Sequence, residues 1–192
     1  MTITIIIPTL DEARGRSTGQ LALATAGTDA RVIVVNGPKR GFTKTVNDGM
    51  RQVEKGDVCI LNDDVAGFPM GWLAALEKGL HSRPKFGIAG PSGKSATAPA
   101  NTGKPGMNGL QACRQLPFWC ALLRRKMIDQ IGILDERFIH YCSDNEYCAR
   151  AKRAGWSCVW VRSVFLKHEH KASGFQSAWR KHDRAEFLRK TR

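Results

Sequence analysis

The sequence predicts an α/β domain built on a mainly parallel mixed sheet, and three observations carry that reading. Short β-branched runs alternate with segments whose apolar residues recur at helical spacing, the first of these runs stop at turn-forming or polar residues, and neither repeat nor linker divides the 192 residues. A chain of that length can bury a substantial core as one unit.

Ile3 to Ile7, closed by Pro8, reads as the first central strand, with Thr9, Leu10, Asp11 and Glu12 in the loop beyond it. Residues 16–27 are weakly apolar at helical spacing, and Arg31 to Val35 is a second strand that ends at Asn36-Gly37. The two strands form a βαβ unit, whose right-handed crossover lays them parallel. Phe42, Val46, Met50 and Val53 make the stripe of an amphipathic helix from Gly41 to Lys55, with Gly56 as its stop. Val58 to Leu61 is the next buried strand and runs straight into Asn62-Asp63-Asp64. A helix over Met70 to Leu80 and a strand over Phe86 to Gly90 continue the alternation. Pro91 to Gly109 reads as a long loop, a lid or acceptor-side segment. Apolar density returns at Leu116 to Leu123, a short amphipathic segment reaches Gly132, and a helix spans Asp144 to Ala154. Trp156 to Val161 and Val164 to Lys167 are expected as two final strands. The division expected is a domain over residues 1–174 and a basic helix or tail over 175–192.

Six cysteines, mostly inside apolar runs and in no CxxC pair, are expected to be reduced, buried small hydrophobes. No basic leader precedes the first strand, and no apolar run approaches the roughly 20 residues of a membrane span, so a soluble cytoplasmic protein is expected, in the host cytoplasm if the chain is viral. The formal charge of +13, from 30 Lys and Arg against 17 Asp and Glu, favours a polyanionic partner: nucleic acid, an anionic lipid surface or an acidic glycan.

The chemistry concentrates at strand exits, the edge where open α/β sheets place ligands. Asn62-Asp63-Asp64 reads either as a turn or cap, or as a site where a divalent cation sits between acids and phosphate. A dinucleotide site is excluded because Pro8-Thr9-Leu10-Asp11-Glu12 stands where the glycine-rich turn should be. Gly93-Lys94-Ser95 has the end of a P-loop, but Ile88 occupies the position of its first glycine.

Six stretches, in order, resemble family 2 of the nucleotide-sugar glycosyltransferases, inverting enzymes of the GT-A fold, over roughly residues 3–174. Ile5-Ile6-Ile7-Pro8-Thr9-Leu10-Asp11-Glu12 looks like the family's opening strand and nucleotide loop. Asn36-Gly37 resembles its second-strand exit, with Asn for the usual Asp, and Asn47-Asp48-Gly49 its helical N-x-G near the nucleotide. Asn62-Asp63-Asp64 falls at the D-x-D-type metal motif; Gly132 to Phe138 resembles G-x-x-D-E-x-[FY]; Ser143 to Arg150 resembles E-D-x-D-x-x-x-R, with Ser143 and Glu146 replacing the usual acids. His168 stands where the family often has a metal-coordinating His, and Ser173-Gly174 match the small residues that follow.

The resemblance implies a metal-dependent, hexosyltransferase-like inverting enzyme in a single GT-A-like, Rossmann-like domain. It implies a nucleotide-sugar donor, UDP-sugar foremost, held by Pro8, Thr9, Asp11, Glu12, Asn36, Asn47, Asn62 and Asp63; Mn²⁺ or Mg²⁺ on Asp64 and His168; and Asp144 as base. Taken alone, a carboxylate at a helix start is an N-cap. Trp119, Cys120, Asp135, Glu136 and Glu146 are assigned to the acceptor side. The resemblance, taken with the charge, implies DNA as one acceptor, a hydroxymethylated base modified by a phage-type member, with Arg124-Arg125-Lys126 and the tail's Arg180, Lys181, Arg184, Arg189 and Lys190 flanking the site. The alternatives are a lipid-linked or polysaccharide acceptor, or a non-catalytic basic nucleic-acid-binding protein.

Overall fold

The structure, a computed structural model, describes residues 2–37, 40–93, 101–169 and 177–191. Its elements are β1 (Ile3–Thr9), α1 (Glu12–Ala24), β2 (Ala30–Asn36), α2 (Phe42–Met50), β3 (Val58–Leu61), β4 (Val65–Ala66), α3 (Trp72–His81), β5 (Phe86–Gly93), β6 (Leu110–Cys113), β7 (Cys120–Leu123), α4 (Arg125–Ile131), α5 (Ser143–Arg153), β8 (Ser157–His168) and α6 (Ser177–Thr191).

The strands form one mixed sheet in the order β2-β1-β3-β7-β5-β8-β4, with β6 also on β8. β1 pairs parallel with β2 and β3, and β5 pairs parallel with β8. Between these groups β7 runs antiparallel to both β3 and β5. Successive side chains of a strand point to opposite faces, so β1 feeds two cores. Ile3, Ile5 and Ile7 join Cys59, Leu61, Leu73, Leu76 and Leu80 on the side of α3. Ile6 joins Val46, Met50, Val58, Ile60, Met127 and Tyr147 on the side of α2, α4 and α5.

Several elements differ from the sequence expectation. α2 stops at Met50 although its apolar stripe continues to Val53. The Gln52 N–H bonds the Gly49 carbonyl and the Val53 N–H bonds the Met50 carbonyl, a tightened exit that tucks Val53 into the core outside the helix. The two expected final strands are one, β8, broken in register where Pro91 pairs with Val161 but Ser92 with Phe165. Proline supplies no N–H to a ladder, and the irregularity falls beside it. Besides β7, short β4 and β6 also run reversed, both antiparallel to β8. Of the loop foreseen over Pro91 to Gly109, Pro91 to Gly93 extend β5, while residues 94–100 lie outside the described residues. None of the six cysteines forms a disulfide. No helix among the described residues is long and apolar enough to cross a membrane.

Candidate active site

At the exit of β3 the Asn62 N–H donates to the Trp119 carbonyl at 2.8 Å, one rung beyond the β3–β7 ladder. The chain then turns through Asp63 and Asp64 into β4, whose Val65 pairs with His168 at the end of β8. That pairing brings the Asp64 carboxylate within 3.0 Å of His168 Nε2, with Asn62 Nδ2 at 3.4 Å from the same nitrogen. The Trp119 ring stacks on the imidazole at 5.3 Å between centroids. Gly93 makes room for that indole, since a Cβ there would lie 2.8 Å from it. Asn62 Oδ1 and Trp119 Nε1 are buried without a hydrogen-bond partner among the described residues. An orphaned amide oxygen beside a carboxylate and an imidazole is a donor set that fits a divalent cation, and the nitrogen suits Mn²⁺ better than Mg²⁺. Asp64 and His168 are the acid and the histidine that meet here; no group of three or more His, Cys, Asp or Glu is arranged for a metal among the described residues. His170 lies outside the described residues.

Asp63 turns the other way, toward β1 and α1. Its Oδ2 lies 2.5 Å from the Thr9 hydroxyl and 2.8 Å from Arg14 Nη2, and its carbonyl accepts from Thr18 Oγ1 at 2.7 Å. Asp11 caps α1 by accepting the Arg14 N–H at 3.1 Å, while exposed Glu12 pairs with Arg16. Thr9 and Asn36 are register partners at the ends of β1 and β2, with half-buried Pro8 just before them. The structure therefore gathers Pro8, Thr9, Asp11, Asn36 and Asp63 at neighbouring strand exits. It adds Arg14, which sequence reading missed. The guanidinium's hydrogen bond to Asp63 raises its pKa, with Asp11 and Asp64 adding to the effect. Its position three residues after the Asp11 cap was the available signal.

Asp144 is not the N-cap of α5. Cys142 occupies that position in the left-handed region, at φ 60°, and Asp144 lies inside the first turn. Its carboxylate accepts the Asn145 N–H at 2.8 Å. Burial pushes its pKa above the ordinary value, against the opposing pull of backbone N–H groups that include Phe118. The side chain nevertheless remains half-buried and so keeps an opening to solvent. Trp119, which stacks on His168, directly follows Phe118, whose ring packs edge-on against Tyr147 of the same helix α5 that carries Asp144.

Other expected site residues have structural roles. Asn47 is wholly buried; its Nδ2 donates to the Leu134 carbonyl at 2.9 Å and to Glu136 at 3.0 Å, and its Oδ1 accepts the Leu134 N–H. It has nothing left for a nucleotide. Glu136 is bound by Asn47 and Arg51, which lower its pKa. Asp135 is held well below the ordinary range by Arg137, with Lys190 assisting at 2.6 Å. Glu146, only 3 % exposed at its side chain, pairs with Arg150 and Lys190. Asp135 and Glu146 share Lys190, whereas exposed Glu136 pairs separately with Arg51. Cys120 is fully buried in the core, where burial and Cys59 push its thiol up. Trp119 is buried and belongs to the wall beside His168.

The expected basic rim also changes. Because β7 runs opposite to β3, its Cys120 end meets Leu61 at the site, and its Leu123 end meets Val58 at the far edge. Arg124, Arg125 and Lys126 follow Leu123 and therefore do not flank the site. Arg124 and Arg125 are instead spent on the carbonyls of Arg83, Pro84, Phe86 and Val53. In α6, Lys190 and Arg189 are paired with acids, while Arg180, Lys181 and Arg184 stay exposed.

No family model matches the chain. It is 26% identical to an uncharacterized protein, y4gI, of Sinorhizobium fredii over 173 residues, 77% of this chain and 19% of that one. A 53-residue stretch, 28% of the chain, is 42% identical to an N-acetylglucosaminyl-diphospho-decaprenol L-rhamnosyltransferase of Mycobacterium tuberculosis, covering 17% of it. The chain thus spans under a fifth of the length of the curated relatives it matches. Among solved structures, GalNAc-T7 with UDP, GalNAc and Mn²⁺ superposes with a TM-score of 0.64 at 8% identity, over 92% of this chain and 45% of that one. A mannosyltransferase of Pyrobaculum calidifontis in complex with GDP-Man and Mn²⁺ gives 0.62 at 16% identity, over 97% and 61%. Residues 1–349 of S. aureus TarS give 0.60 at 12%, over 98% of this chain and 71% of that one. The architecture is the GT-A fold of glycosyltransferases.

Proposed function

We propose that this chain is a nucleotide-sugar-dependent glycosyltransferase that moves a hexose from a nucleotide diphosphate, UDP-sugar foremost, to an acceptor hydroxyl with inversion. The observation that carries the reading is the cluster at the exit of β3, where the Asp64 carboxylate, the His168 imidazole and the Asn62 amide oxygen, unpartnered among the described residues, meet. Transfer requires charge on the departing diphosphate to be neutralised, the acceptor hydroxyl to be deprotonated, and the two to be aligned. Asn62, Asp64 and His168 would hold Mn²⁺ or Mg²⁺, which supplies the neutralisation. The exits of β1 and β2 hold base and ribose. Arg14 is within reach of the same acidic cluster and can release Asp63 to the ribose while turning to phosphate. Asp144, raised in pKa yet open on one side, takes the acceptor proton. With base and leaving group on opposite sides of the sugar, a single displacement inverts the anomeric centre.

The net charge and the exposed Arg180, Lys181 and Arg184 favour an anionic acceptor, and hydroxymethylated DNA is the polymer we infer. The 53-residue similarity to an enzyme named for a diphospho-decaprenol acceptor favours a lipid-linked diphosphate as the second reading. Labelled nucleotide sugars offered with Mn²⁺ to hydroxymethyl-pyrimidine DNA, unmodified DNA and a lipid extract decide between them. Label on modified DNA supports the first reading, label confined to lipid supports the second, and no sugar release from any donor overturns both.

A further inference from the structure

Asp183 is the odd residue of α6. It is flanked by exposed Arg180, Lys181, His182 and Arg184, yet it is wholly buried. Its Oδ1 accepts the Ile139 N–H at 2.8 Å, and its Oδ2 accepts the N–H groups of His140 and Tyr141 at 2.8 and 2.7 Å. A carboxylate in a ring of backbone N–H groups is a firm anchor, because charge-assisted bonds are about twice as strong as neutral ones. Burial alone would raise the Asp183 pKa, but those N–H groups and His182 carry it below the ordinary value. The same short segment is gripped from its other side, where the Thr43 N–H of α2 donates to the Ile139 carbonyl at 3.1 Å. Gly41 permits that approach, since a Cβ there would stand 2.3 Å from the Ile139 oxygen.

The next residue is Cys142, whose left-handed backbone is a strained conformation for a side-chain-bearing residue and persists only when its surroundings fix it. The Cys142 carbonyl receives the Glu146 N–H at 2.9 Å, the first helical bond of α5, and Asp144 lies within that turn. α6 is fastened again by Lys190, at 2.8 Å from Glu146 of α5, so the helix holds both the approach to Asp144 and the helix that carries it.

We propose that Asp183 is a positioning residue: by holding residues 139–141 it fixes the left-handed Cys142 and so the placement of Asp144. The proposal rests on the reading of Asp144 as the base, but it is tested without a sugar donor. Full-length protein with ¹³C-carboxyl aspartate gives the Asp144 signal, assigned by its loss in Asp144→Asn. The charged and titratable groups around this turn include Cys142, Asp183, Arg180 and Arg184, His140 and His182 against Asp183, and Glu146 with Lys190, and each variant changes a single residue. In Asp183→Asn, the amides of 139–141 should lose exchange protection and the Asp144 titration should move toward the ordinary carboxylate value, while β1 and β3 amides stay protected. Asp183→Glu should recover part of both. An unmoved Asp144 titration overturns the proposal. If Asp183→Asn does not fold, exchange on the wild-type protein decides: amides 139–141 should open together with α6, and protection of 139–141 that outlasts α6 overturns it. Where a donor is found, Asp183→Asn should lower kcat about tenfold or more at unchanged donor KM, since small misplacements of reacting groups cost up to about 10²-fold; wild-type kcat refutes the idea. A chain inactive with every donor sinks the transferase reading but leaves the spectroscopic outcome readable.

Discussion

Asp64→Asn offers the most direct test of the proposed metal site, because it removes a charge while keeping the shape that β4–β8 pairing imposes on Asp64 and His168. A cation that binds the folded chain alone stabilises it by RT ln(1 + [L]/Kd), about 2.7 kcal/mol at a hundred times Kd. In a domain of this size each kcal/mol moves Tm by about 2–4 °C, so saturating Mn²⁺ should raise the wild-type Tm by about 5–11 °C. Even partners outside the ligand shell cost metal affinity about 10- to 100-fold when removed, and a charged ligand should cost at least that. At the same Mn²⁺ concentration the stabilisation of Asp64→Asn then falls to between about 1.4 and 0.4 kcal/mol. The assay is a thermal melt of both proteins in excess chelator and across a Mn²⁺ series, with UDP present and absent. Equal Mn²⁺ shifts in wild type and variant would falsify the assignment of Asp64, and no shift in the wild type would remove the metal from the site.

Asp144→Asn should lower transfer by about 10²–10⁴-fold while leaving donor binding intact, measured by transfer rate and UDP titration. Burial raises the folded-state pKa of Asp144, so its contribution to stability is present below the unfolded pKa of about 3.9 and is lost as pH rises through the folded value. The Asn variant should therefore melt higher than wild type at neutral pH and level with it below about pH 4; a lower melt at neutral pH contradicts the assigned burial. Lys190→Met should destabilise by about 1–3 kcal/mol at pH 7 by leaving Glu146 and Asp135 with fewer cations. Asp135 has a depressed pKa, so the stability it lends exists above about pH 4 and disappears as pH falls toward its folded value. Denaturant titrations should thus show the penalty shrinking in acid, and a constant penalty from pH 7 to pH 2 counts against the pairing. If α6 meets DNA, replacing Arg180 and Arg184 by Gln should reduce the log–log salt slope of binding by about 0.9 for each phosphate that is no longer neutralised; an unchanged slope places the polymer elsewhere.

The first strands were legible because β1 and β2 are nearly pure β-branched runs, whereas β6 (Leu110–Cys113) and β7 (Cys120–Leu123) contain no β-branched residue. Ile3 to Ile7 and Arg31 to Val35 lie in β1 and β2 as the pattern requires. What escaped reading depends on partners distant in sequence. The break in β8 is set by Pro91 of β5, and the early end of α2 by the turn that buries Val53. Neither strand nor helix carries those instructions in its own periodicity.

The site divides along the same line. Asn62, Asp63 and Asp64 follow the end of β3, where a strand pattern fixes the next residues, whereas His168 was singled out by the family resemblance and lies at the end of β8 opposite Val65. Whether a polar residue at a matched position faces a substrate is a different question, settled by how many of its atoms the protein has already used. Asn47 fits the expected motif but has both ends of its amide committed across 87 residues of sequence to Leu134. Glu146 fits as well, yet it is closed off by Arg150 and by Lys190 from a helix that sequence alone presents as a solvated basic tail. Charge misleads there for a physical reason. A run of cations has a sign that is visible locally, whereas the acids that hold Lys190 are distant Asp135 and Glu146 of α5, and Asp183, the acid that docks the run, is hidden among the cations themselves.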